Sequence, residues 1–237
     1  MTSPKGLARI AGVLYLINGI TSGYAFAYVI GKVFVAGDAV RTAANVVANA
    51  GLVRLGVVAD LFQATEWLFL AMAFYALLKH VREGAARAMV VLVAVGAAIV
   101  CLNDVFQFES VRIASGGPFL AAFGAEGTSA LVLLMFEIHH YGFLIAQIFF
   151  GLWLVPLGYL AYKSGMIPKA LGVLLIVGGA CYLVGMVAVF LLPASGERIN
   201  LAVTLPSAVA EIATALYLLV FGVKARKPIR QRAPEAT

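Results

Sequence analysis

Glu137-Ile138-His139-His140-Tyr141-Gly142 puts an acid, two imidazoles and a glycine at the head of a hydrophobic segment that runs on to Tyr162. An acid and a histidine one helical turn apart suit two kinds of chemistry, general acid–base catalysis and metal ligation. Glu137 and His140 have the i, i+3 spacing of di-iron carboxylate bundles, but those need two such units plus two further glutamates. The chain has one unit. A zinc hydrolase needs three ligands and an open position. His139, His140 and one acid supply the types, yet adjacent residues point to different faces of a helix. The sequence therefore assigns no metal and no cofactor, and it carries no G-x-S-x-G, phosphate loop, haem C-x-x-C-H or dinucleotide fingerprint.

The elements that hold these residues are set by the solvent. Hydrophobic residues make up 63% of the chain and charged ones 12%, with a mean hydropathy of +1.00. A soluble domain carries about 25% charged residues, so the solvent here is a bilayer. The net charge of +6 comes from residues clustered between apolar stretches, with no basic stripe and interleaved aromatics, so no nucleic-acid partner is expected. Cys101 and Cys181 each lie inside an apolar stretch and read as packing residues. Leu7 to Phe34 exceeds the hydrophobic region of a signal peptide and reads as a retained span.

Six apolar stretches, near 7–34, 51–78, 87–109, 130–162, 168–192 and 204–223, each reach the ~20 residues of a spanning helix. The expected fold is all-α: an integral membrane bundle of six transmembrane helices in one domain over 1–223, with a basic disordered tail over 224–237. Asp38 opens a polar stretch to Asn49 that reads as a short interfacial helix between the first two spans. Residues 110–129 read as a Gly- and Ser-rich connection with a turn at Gly116-Gly117-Pro118. Lys163-Ser164-Gly165 with Pro168 reads as a tight turn between antiparallel neighbours. Lys5, Arg9, Lys79, Arg82, Arg87, Lys163, Lys169 and the basic tail fall on one side, against Lys32, Arg41, Arg54, Arg112 and Arg198 on the other. The positive-inside rule then makes both termini cytoplasmic, in a cell (inner or plasma) membrane protein whose one sure partner is the lipid bilayer.

Helical rise converts sequence distance into depth. Measured from cytoplasmic lysines or Arg87, Glu66 and Glu211 stand about 20 Å up, and Asn103, Asp104 and Gln147 about 24–26 Å. Asp60 stands near 28 Å, and Arg54, Glu137 and His139 near 36–39 Å, by the same rise of about 1.5 Å per residue. Asp60, Glu66, Asp104, Gln147 and Glu211 form an expected well, and Arg54, Glu137 and His139 its rim. An ionised carboxylate at mid-bilayer costs about 2.5–3.5 kcal/mol on the milder scales, so Glu66 and Glu211 should be paired, hydrated or protonated. Ser207, Glu211 and Thr214 share one helix face, as do Glu137, His140, Leu144 and Gln147. Arg54 and Glu137 reach similar heights and suit a salt bridge at the rim. Arg9-Ile10-Ala11-Gly12-Val13-Leu14 also echoes Lys169-Ala170-Leu171-Gly172-Val173-Leu174, a match that either a hairpin repeat or basic helix ends with apolar bias can produce.

Gly37-Asp38 with Thr42-Ala43-Ala44-Asn45, Arg54-Leu55-Gly56, Asp60-Leu61, Glu137-Ile138-His139, Tyr141-Gly142, Phe149-Phe150-Gly151-Leu152-Trp153, Pro156-Leu157-Gly158-Tyr159 and Lys163-Ser164-Gly165 form a pattern spread over most of the chain. It resembles the bacterial membrane proteins of domain of unknown function 4386. The resemblance implies a fold of six or seven membrane helices and no particular activity. It also implies an acid at Glu137, a histidine at His139, a glycine at Gly142, Arg54 and Asp60 on the second span and Glu211 on the last, with His140 a local choice.

The reading expected from sequence is a polar intramembrane site open to the extracytoplasmic side, formed by Arg54, Asp60, Glu66, Asp104, Glu137, His139, Gln147 and Glu211. It would bind a small or lipid-like molecule, with proton-linked carriage as one use. The alternatives are an enzyme acting on a lipid headgroup, with His139 as base and Arg54 as anion clamp, and a non-catalytic partner or sensor subunit.

Overall fold

The computed structural model describes residues 3–116 and 118–224, and its regular elements there are all helical. Helix α1 runs Pro4–Val33, α2 Ala39–Ala48, α3 Ala50–Leu78, α4 Glu83–Ala114, α5 Gly124–Ser164, α6 Lys169–Leu191, α7 Gly196–Val203 and α8 Leu205–Val220. With α7 and α8 counted as one crossing, six helices are long and apolar enough to span a bilayer, so the chain is a multi-pass membrane protein.

The caps explain where the first helices begin. Ser3 Oγ accepts from the Gly6 amide at 3.1 Å, and Pro4 occupies the first turn. Asp38 Oδ1 accepts from the Arg41 amide at 2.9 Å and starts α2 where the sequence places it. Helix α5 ends at Gly165, whose φ of +67° is open to glycine, and Pro168 precedes α6. Two elements differ from expectation. The 110–129 connection is almost wholly helical, because α4 persists to Ala114, a 3-10 turn covers Pro118–Phe123 and α5 begins at Gly124. Helix α5 is therefore 41 residues, about 60 Å, and outruns a ~30 Å bilayer core. Within α1, Gly23–Ile30 is wound as a π-helix, a widening that often accompanies a functional site. Of the expected tail, Lys224 donates its amide to the Met166 carbonyl at 3.0 Å, and the remainder lies outside the described residues.

The spans close a ring in the order α1, α3, α4, α5, α6, α8 and back to α1. Helix α5 lies against α6 through glycines: a Cβ on Gly151 would come within 2.6 Å of the Gly179 carbonyl, and one on Gly158 within 2.5 Å of the Gly172 carbonyl. The small residues of α6 thus serve packing inside the chain. Two apolar clusters fill the ring. The larger is built on Tyr15, Trp67, Phe74 and Trp153, with Tyr15 and Trp153 edge to face at 5.6 Å and Trp67 and Trp153 at 5.7 Å. The smaller, farther from the termini, joins Val29, Val53, Val111 and Phe136 under α2, which contributes Val46.

Candidate functional site

The two apolar clusters are separated by polar residues. Along α3 the chain passes from Val53 through Asp60 and Gln63 to Ala64; along α4 from Val111 through Gln107, Asp104 and Asn103 to Val100; along α5 from Phe136 through His139 to Ala146. All six of these intervening polar residues are buried. Three converge: Asp60, Asp104 and His139 each offer a ligand atom within 4.8 Å of the others'. His139 Nε2 stands 3.7 Å from Asp104 Oδ1, beyond hydrogen-bond length. The three residues are 5%, 3% and 3% exposed, and both Asp104 oxygens lack a hydrogen-bond partner among the described residues.

The backbone beside this group is held firmly. Asn103 Nδ2 donates to the His139 carbonyl at 2.7 Å, crossing from α4 to α5. That bond is possible because residue 142 is glycine: a Cβ there would collide with the Asn103 carboxamide. Gly56, one turn from Asp60 on α3, similarly admits Gln107, whose Nε2 would be 3.3 Å from an added Cβ. Neither polar atom of the Gln107 side chain has a partner among the described residues.

A second polar group is complete. Glu211 on α8 accepts from Tyr15 Oη of α1 and from Tyr182 Oη of α6, each at 3.0 Å. Gln147 Nε2 on α5 donates to the Tyr182 carbonyl and to Asn200 Oδ1, both at 2.8 Å. Tyr182, Gln147 and Asn200 also line a cavity of about 550 Å³, whose walls include Phe26, Phe143 and Phe150 and whose mouth carries His140, Glu197 and Arg198. His140 Nε2 meets Glu197 Oε1 at 2.7 Å at that mouth. Behind Tyr182, Glu211 borders a smaller cavity of about 260 Å³ with Tyr15 and Asn18. The Tyr182–Glu211–Tyr15 chain thus joins residues that line the two spaces. The π-helical part of α1 contributes Phe26, which stacks on Phe143 at 4.2 Å between centroids.

The eight residues expected to form one site fall into separate groups. Asp60, Asp104 and His139 are together, while Gln147 and Glu211 share the tyrosine network. Glu66 stands apart facing Asn18, and neither its carboxylate oxygens nor the Asn18 amide nitrogen completes a hydrogen bond among the described residues. Arg54 is exposed, Glu137 lines a shallow groove between α4 and α5, and no Arg54–Glu137 ion pair forms among the described residues. His139, expected at the rim, is buried level with Asp60 and Asp104. Depth counted from Lys163 overshoots because α5 is longer than the membrane core is thick. Of the two residues of the enzyme alternative, Arg54 is exposed and His139 is buried. Tyr15, Tyr182 and Asn200 were not anticipated. The available signal was the tyrosine hydroxyls themselves, which when buried require acceptors that an intramembrane glutamate supplies.

A search of curated proteins finds no match to this chain, and neither does a search of solved structures. The family model described as domain of unknown function DUF4386 matches residues 10–222. Six apolar helices, the acid–histidine–glycine run on α5 and that match lead to one conclusion: the chain belongs to the DUF4386 family of membrane proteins.

Proposed function

We propose that the protein binds a small or lipid-like molecule in the cavity between α1, α5, α6 and α7. The observation that carries this reading is a 550 Å³ space with aromatic walls and a polar floor of Gln147, Tyr182 and Asn200. That division suits an amphiphile, whose apolar part lies on Phe26, Phe143 and Phe150 while a hydrogen-bonding group reaches the floor. The cavity opens at the end away from the termini. With the basic helix ends in the cytoplasm, this is the extracytoplasmic side of the cell membrane.

Proton-linked carriage is the use that the Tyr182–Glu211–Tyr15 chain favours. Glu211 is bonded to both tyrosines, and it borders the smaller cavity while Tyr182 lines the larger one. Protonation of Glu211 would remove an acceptor charge and loosen both bonds, coupling occupancy of one cavity to the packing of α1 against α6 and α8.

The test is solvent extraction and mass spectrometry of molecules that co-purify with the protein in nanodiscs. Ala208 lines the cavity, so Ala208→Trp should fill it and remove a compound that wild type retains. Identical extracts from both proteins would refute binding in this cavity. Carriage is tested separately: Glu211→Gln should retain the compound yet lose its pH-gradient-driven uptake into proteoliposomes, and unchanged uptake would refute the coupling.

A further inference from the structure

We infer that Asp60, Asp104 and His139 form a binding site for one divalent transition-metal ion, with zinc or manganese the best-suited class. The proposal is independent of the cavity reading, because none of the three residues lines the cavities described above.

Three observations support it. First, the donors have suitable identity and spacing. Two carboxylates and one imidazole are hard-to-borderline ligands that zinc and manganese accept. Two ligands of a tetrahedral ion with bonds of about 2.1 Å stand about 3.4 Å apart. The observed 3.7 Å between His139 Nε2 and Asp104 Oδ1 is close to that value and too long for a direct hydrogen bond, and the third donor lies within 4.8 Å of both. Second, Asp104 has no other partner among the described residues. Asp104 is 3% exposed and neither of its oxygens accepts a hydrogen bond among the described residues. A buried carboxylate in that condition is normally paired or bound to a metal. One divalent cation would neutralise the two aspartates together, where an ammonium or guanidinium would neutralise one. Third, the scaffold is fixed. Each donor comes from a different helix, and the Asn103 bond to the His139 carbonyl holds α5 against α4 beside the site. Gln107, one turn along α4, also has both side-chain polar atoms unpartnered among the described residues. Three protein ligands with one position left open is a common arrangement for catalytic or exchangeable zinc. Here burial on all sides points to a retained ion that ties α3, α4 and α5 together.

The experiment uses the full-length protein in detergent, stripped with a chelator and then titrated with zinc or cobalt chloride alone. Inductively coupled plasma mass spectrometry after desalting should find about one zinc per chain. Cobalt should give visible absorption bands of a low-symmetry site carrying nitrogen and oxygen ligands. Asp104→Asn and His139→Ala should each lower zinc retention at least tenfold, while Glu137→Gln, on the neighbouring groove, should leave it unchanged. Wild type with less than a tenth of an equivalent and no cobalt bands would overturn the proposal without recourse to any variant. So would zinc retention in a folded Asp104→Asn protein equal to that of wild type, which would mark the triad as a pair of acids sharing a proton beside a neutral histidine.

Discussion

Glu211 and Asp104 are both carboxylates placed inside a membrane bundle, and the chain treats them differently. Glu211 receives a tyrosine hydroxyl on each oxygen, at 3.0 Å from α1 and 3.0 Å from α6. Asp104 receives none, and its near neighbours are a second aspartate and a histidine ring nitrogen. One site is internally complete and stands beside open cavities; the other is closed to the cavities and internally incomplete. The first is a carboxylate satisfied by the chain itself; the second is a buried carboxylate whose oxygens have no hydrogen-bond partner among the described residues.

The largest expected effect comes from deleting the completed network. Glu211→Leu leaves one buried and one half-buried tyrosine hydroxyl without an acceptor, each costing about 1–3 kcal/mol, so the loss of unfolding stability in detergent should be about 2–6 kcal/mol. Asp104→Leu measured in chelator should by contrast lie within about 1 kcal/mol of wild type or above it, since no hydrogen bond is lost and an uncompensated acid is removed. A comparable loss in both variants would erase the distinction between the sites. Next in size is Gly142→Ala, whose Cβ would strike the Asn103 side chain. It should cost about 1–3 kcal/mol and weaken zinc retention through the displaced His139 backbone, read by melting temperature and metal content together. Tyr182→Phe removes one of the two donors to Glu211 and should cost about 1 kcal/mol. The compound that Ala208→Trp displaces should also bind less tightly to it, because Tyr182, which lines the larger cavity, loses the bond to Glu211 that fixes its ring. The smallest effect belongs to His140→Ala. Its partner Glu197 is exposed, and an exposed pair contributes about 0–1 kcal/mol, so melting should barely move while access to the cavity mouth widens and ligand release quickens.

The bundle was legible because lipid imposes a length on apolar segments and because caps such as Asp38 and turn residues such as Gly165 act locally. The 110–129 stretch misled because Gly and Ser were read as loop formers. Its helices meet the smaller apolar cluster through Val111, Ile113 and Leu120, a tertiary reason that composition does not display. The costly residues of the site were legible one at a time. Which of them meet was not, since that depends on helix rotation and tilt: Asp60, Asp104 and His139 come from three helices, and counting from Lys163 set His139 too high. Tyr15 and Tyr182 escaped notice because a tyrosine within a span reads as packing until its acceptor is located.

A native mass spectrum of the wild-type protein released from nanodiscs, taken beside Asp104→Asn and Ala208→Trp, tests both sites at once. Two independent adducts are expected. A metal mass should be absent only from Asp104→Asn, and an organic mass should be absent only from Ala208→Trp. Loss of both adducts in a single variant, or a wild-type protein carrying neither, would contradict the separation of a closed metal-binding layer from an open ligand cavity.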